Sequence, residues 1–115
     1  MAFTDIEKKR IEKLLSAFIE KRRPPQHIRP ELDLGFSIEG HSVEIFEIRP
    51  GWQNPKEKLK FPVARATYIK VRDVWKVYWQ RADCKWHGYD PSPKVKKLEE
   101  FLKLVDEDSC CCFWG

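Results

Sequence analysis

No stretch of this chain approaches the roughly 18 apolar residues in a row that a membrane-crossing helix requires. The opening MAFTDIEKKR also lacks the apolar run of a secretory signal. A cytoplasmic protein with no membrane partner is the expectation. Low-complexity tracts and internal repeats are missing too. The cysteines are badly placed for crosslinking. Of the four, Cys110, Cys111 and Cys112 are consecutive, and such neighbours cannot easily reach separate partners with good disulfide geometry. That argues against a secreted disulfide scaffold. Cys84 and His87 have C-x-x-H spacing, but no second C-x-x-C or H-x-x-x-H pair completes a zinc site. Neither a metal nor another cofactor is expected.

What is present suits an ordinary globular protein. At 115 residues the chain is expected to form one domain around a single two-layer core. The formal charge of +4 is unevenly spread: residues 1–30 hold eight Lys/Arg against four Asp/Glu, and residues 31–115 hold fourteen against fourteen. The whole excess lies in the N-terminal quarter. Such asymmetry suits a nucleic acid or an acidic protein as partner, although a solvated helix face produces it as well.

Thr4-Asp5-Ile6-Glu7 reads as a capping box, and Ile11, Leu14, Leu15, Phe18 and Ile19 follow as one apolar stripe. A helix is expected over 4–23, ended by Pro24-Pro25. From Leu32 the period becomes two, with Leu34, Phe36 and Ile38 on one face. A turn at Glu39-Gly40 would return SVEIFEIRP as a second strand, pairing Leu34 with Ile45 and Phe36 with Val43. Asn54-Pro55-Lys56-Glu57 suggests one helical turn. A third strand is expected over about 61–71, its inward face ambiguous, and a fourth in VWKVYWQRAD, with Trp75, Val77 and Trp79 inward. Ser92-Pro93 then reads as the start of a second helix, 92–105, striped by Val95, Leu98, Phe101, Leu102 and Val105. The order α-β-β-β-β-α over a sheet at 32–83, with a tail at 106–115, predicts an α+β fold. Its form would be a four-stranded antiparallel meander with both helices on one face.

In such a meander the end of strand two, the start of strand three and the end of strand four share one edge of the sheet. Glu47 and Arg49, Arg65, and Arg81 with Asp83 would gather there, joined by Trp52, Trp86, His87 and Tyr89 from the adjoining loops. An ion-pair network closing the core is one reading of this cluster. A second makes the tryptophans and Tyr89 stacking surfaces and the arginines partners for an anion. A third is hydrolytic, with Glu47 or Asp83 as general base or metal ligand and His87 as acid. The Glu44-Ile45-Phe46-Glu47-Ile48-Arg49 run is loosely like the E-x-K strand of metal-dependent nucleases. Arg49 holds its proton too firmly for a base-like role, however, and Asp33, the upstream acid, falls on the opposite face. The preferred expectation is a small interaction module that binds nucleic acid or an acidic protein. An enzyme or a plain protein-partner scaffold is the alternative.

EIFEIRPGW at 44–52, ATYIKVRDVWKVYWQRADCKWHGY at 66–89 and the terminal CFWG at 112–115 resemble a small bacterial family of domains of unknown function, number three thousand and twenty-four. The resemblance spans nearly the whole chain and brings no activity with it. In that family a leucine-like residue stands where this chain has Cys84, which implies no metal role there. The family's short Cys-aromatic-aromatic-Gly ending is matched by Cys112-Phe113-Trp114-Gly115. Burying Phe113 and Trp114 would contribute roughly 1.5 to 3 kcal/mol each. The tail is therefore expected to fold back, beside the second helix or onto the aromatic edge near Trp79 and Trp86, where its terminal carboxylate could meet Arg81 or Arg49.

Overall fold

The computed structural model describes residues 3–54, 56–81, 83–108 and 113–114. Helix α1 is Asp5–Arg22. Its capping box is closed in both directions, with the Thr4 hydroxyl accepting from the Glu7 amide at 3.2 Å and the Glu7 carboxylate accepting from the Thr4 amide at 2.9 Å. Ile11, Leu15 and Ile19, four residues apart, are its buried stripe. At the far end the Arg23 guanidinium grips the Asp33 carboxylate as a fork, at 2.7 and 2.8 Å.

Asp33 opens strand β1 (Asp33–Glu39), which pairs antiparallel with β2 (Ser42–Pro50). The hairpin turns at Gly40 and His41, one position later than expected. Gly40 takes a φ of 58°, which glycine adopts at no steric cost. Phe36 therefore lies opposite Ile45 and Ile38 opposite Val43. This is a slip of two residues from the predicted pairing, and because side chains alternate with a period of two, it leaves every residue on its predicted face.

Strand β3 (Lys58–Ile69) starts and ends earlier than its composition suggested. Between Ile45 and Phe46 the register against β2 shifts, so that Ala64 and Pro62 face successive β2 residues and Val63 bulges. The bulge explains why the inward face could not be read. Val63 and Ala64 are neighbours and both are buried, which no strict alternation allows. It also accommodates Pro62 in a central strand, where a missing N–H is otherwise costly. Beyond the bulge Ala64 and Ala66 lie across from Trp79 and Val77 of β4 (Val74–Gln80).

The expected four strands are two too few. β5 (Trp86–Gly88) and β6 (Lys94–Val95) both pair with β4, at Tyr78–Gln80 and at Trp75–Lys76. They act as two halves of one broken edge strand. In the gap Tyr89 N–H donates to the Val77 carbonyl and Val77 N–H to the Pro93 carbonyl, so the ladder stays satisfied. This pairing also overturns the helix start at Ser92-Pro93. The second helix, α2, is Leu98–Glu107, and it begins at Lys97 without a side-chain cap.

The two helices cover one face. Leu15, Val43, Ile45, Ala64, Ala66, Val77, Phe101 and Val105 are almost wholly excluded from solvent within one cluster. The alanines of β3 leave room for the large side chains of α2, as close packing requires. On the other face Phe46 is buried without any helix above it. Gly35 supplies the space, because a Cβ there would sit 2.7 Å from the Phe46 ring, and the Lys60 ammonium lies 4.9 Å above that ring.

The tail folds back as expected, and its receiver is the groove beside α2. Asp108 ends that helix in the left-handed conformation, and its carboxylate accepts from the amides of Phe113 and Trp114, each at 3.0 Å. The Phe113 ring packs 4.8 Å from Tyr89, and the Trp114 indole N–H donates to the Val105 carbonyl at 2.7 Å. Cys110, Cys111, Cys112 and Gly115, with the expectations placed on them, lie outside the described residues. Among the described residues no helix is long and apolar enough to cross a membrane.

Candidate functional site

The predicted cluster divides into separate pairs. Glu47 and Arg49 share a face of β2, two residues apart, and their ion pair measures 3.3 Å. Half of the Arg49 side chain is exposed, so the pair adds little stability. Among the described residues no ion pair joins it to Arg81 or Asp83. Phe61, in register with Glu47, brings β3 between the two groups. Trp52 stands in the following loop, 88% exposed. That loop is closed by Gly51 N–H to the Glu57 carbonyl at 2.8 Å and by Lys56 N–H to the Asn54 side chain at 3.2 Å. It is a tight turn where a helical turn was expected, and Pro55 lies outside the described residues.

Arg65 belongs to the face without helices. Its guanidinium donates to the Ser42 hydroxyl at 3.3 Å, and Ser42 in turn bonds Thr67 at 2.9 Å. It also lies 6.0 Å from the Trp86 ring, at the outer limit of a cation–π contact. Glu44 is its cross-strand neighbour, yet among the described residues Arg65 makes no ion pair. Arg81 lies 5.5 Å from the Trp79 ring. Trp79 was expected both inward and at the aromatic edge, and its partial burial lets one part of the ring pack inward while Arg81 covers another.

β4 ends at Gln80, and the following turn replaces the expected continuation through Asp83. Arg81 N–H reaches the Lys85 carbonyl at 3.2 Å and Cys84 N–H reaches the Arg81 carbonyl at 2.8 Å, with exposed Cys84 at a φ of 62°. Asp83 holds this turn by accepting from the Lys85 amide at 2.9 Å and contacting His87 Nε2 at 3.0 Å. The Lys85 amide first, and then His87, keep the Asp83 carboxyl below its ordinary value. Ala82 lies outside the described residues. Tyr89 is not at the rim: it is 2% exposed, its ring against Phe113. Among the described residues no group of three or more His, Cys, Asp or Glu side chains could hold a metal ion.

The arrangement thus presents two arginine–indole pairs at the end of the β4–β5 hairpin. Trp86 and Arg65 lie on the open face, Trp79 and Arg81 toward the helices, and exposed Trp52 belongs to the loop at the same end of the sheet. The polar string Ser42, Thr67 and Arg65 was not legible in the sequence, because the bulge at Val63 hides which face of β3 carries Arg65 and Thr67.

Two helices on one face of an antiparallel meander define an α+β protein. Residues 3–115 match the family described as Domain of unknown function (DUF3024), and the chain belongs to that family. No curated protein and no solved structure matches it.

Proposed function

We propose that the protein is a small binding module whose β4–β5 end takes single-stranded nucleic acid. The observation that carries this reading is the pair of arginines, Arg65 and Arg81, each beside an indole and neither in an ion pair among the described residues. An arginine beside a ring keeps its charge, and its donors other than the one Arg65 gives to Ser42 stay available for phosphate, while the ring offers a face to a base. Trp52, exposed and at the same end, supplies a further stacking surface.

The hydrolytic reading needs Glu47 or Asp83 as base with His87 as acid; Glu47 is ion-paired with Arg49, and another role accounts for Asp83 and His87. Asp83 also accepts from the Lys85 amide, so the contact with His87 pins the hairpin turn. Their side chains are 48% and 35% exposed, without the burial that would tune a general base. A titration at low salt with a labelled single-stranded oligonucleotide, its duplex and an acidic polypeptide tests the proposal. Tightest binding to the single strand supports it. Preference for the polypeptide makes the module a protein-binding one, and no binding to any of the three leaves a scaffold.

A further inference from the structure

At the opposite end of the sheet, α1, α2 and strands β3 and β4 enclose a cleft of about 530 Å³. Its walls are Phe3, Ile11, Leu14, Tyr68, Trp75 and Leu98. Three of these form an aromatic corner, with Tyr68 5.1 Å and Phe3 5.7 Å from Trp75, centre to centre. Phe3, Leu14 and Tyr68 are only partly buried, so apolar surface is left facing the cleft. The volume lies within the roughly 300 to 1,000 Å³ of small-molecule sites, which are also mostly apolar with a few placed polar groups.

Four charged residues border it: Glu7, Arg10, Lys97 and Glu99. The two signs are not equally free. Glu7 is engaged by the Thr4 amide in the capping box, and Glu99 sits in the first turn of α2, where the peptide dipoles already favour negative charge. The side chains of Arg10 and Lys97 have neither an ion-pair nor a hydrogen-bond partner among the described residues.

We infer that this cleft binds a small monoanion with an apolar body, an aryl or alkyl carboxylate. The body lies against Phe3, Leu14, Tyr68 and Trp75, and the carboxylate meets Arg10 and Lys97. A phosphate-like dianion would leave the apolar walls unused and would bring a second negative charge beside Glu7 and Glu99. An apolar cation would leave Arg10 and Lys97 uncompensated.

The test is a titration with phenylbutyrate, phenylbutylamine and phenylbutanol, followed by tryptophan fluorescence and by two-dimensional NMR of the intact chain. Phenylbutyrate should bind at millimolar concentrations or below, shift the amides around Phe3, Tyr68 and Leu98, and bind more tightly than the alcohol and the amine. Replacing both exposed cations (Arg10→Gln with Lys97→Gln) should weaken phenylbutyrate by about five- to tenfold, as for two exposed charge contacts, while binding of the alcohol is unchanged. Leu14→Trp, which fills the cleft, should abolish binding of all three. Equal affinity for the amine and the carboxylate, shifts centred elsewhere, or binding that survives Leu14→Trp would overturn the assignment.

Discussion

The guanidinium of Arg22, in the last turn of α1, lies 4.3 Å above the indole of Trp114 and donates to both the backbone carbonyl and the carboxylate of Asp106, at 3.0 and 2.7 Å. One side chain thereby joins the first helix, the end of the second and the tail. Helix α2 has no basic residue in its own last turn, and Arg22 supplies the missing cation from its neighbour.

Two substitutions separate these roles. Arg22→Met keeps much of the packing and removes the charge and donors. It should cost about 1 kcal/mol, or about 4 °C of melting temperature. Phe113→Ala removes a ring that is 6% exposed and should cost about 2 to 3 kcal/mol, roughly 10 °C. A melting temperature unchanged in Phe113→Ala would show that the docked tail contributes nothing.

Gly35 and Phe46 form a second testable pair. A Cβ at position 35 would meet Phe46 Cε1 at 2.7 Å and Ile48 Cδ1 at 3.3 Å. Gly35→Ala should therefore destabilise by about 1 to 3 kcal/mol through overpacking, although alanine generally favours a strand over glycine. Combined with Phe46→Leu, it should cost less than the sum of the two changes, because the smaller side chain yields the space. Additive losses, measured by urea unfolding, would mean that the two residues do not compete for it.

Acid should loosen the junction between α1 and the sheet. The hydrogen-bonded fork from Arg23, followed by the Leu34 amide, holds the Asp33 carboxyl below its ordinary value of 3.8. A depressed carboxylate contributes stability that is complete above the unfolded value and lost as pH falls through the folded one. Stability should therefore drop below about pH 4. Asp33→Asn should be less stable than the parent at neutral pH and should lose less than the parent on acidification. Parallel pH profiles for the two proteins would contradict this.

Much of this fold was readable from local pattern. The capping box at Thr4 and Glu7, the stripe of α1 and the faces of β1 and β2 each follow from spacing within a few residues. The broken edge strand was not readable. Lys94-Val95 is too short to show a period, and Ser92-Pro93 offers a plausible helix start that only pairing with Trp75 and Lys76 overrides. The bulge at Val63 concealed the inward face of β3 for a similar reason, since it depends on the register with β2. At the candidate site, most of the named side chains sit toward one end of the sheet, but Glu47 and Asp83 do not meet and Tyr89 is in the core. Those outcomes depend on Phe61 intervening and on Phe113 covering Tyr89, both contacts between distant parts of the chain.

The central claim is that Arg65 and Arg81 present their charge to a single-stranded polyanion. Its most direct measurement is the salt dependence of binding to a labelled oligonucleotide, compared between the parent and Arg65→Gln, Arg81→Gln and the double variant. Each phosphate contact adds about 0.7 to the magnitude of the slope of log affinity against log salt for single strands. The account predicts that each single variant lowers that magnitude by about 0.7 and the double variant by about 1.4, with melting temperatures held close to the parent. Slopes identical in all four proteins, or no salt dependence in the parent, would contradict it.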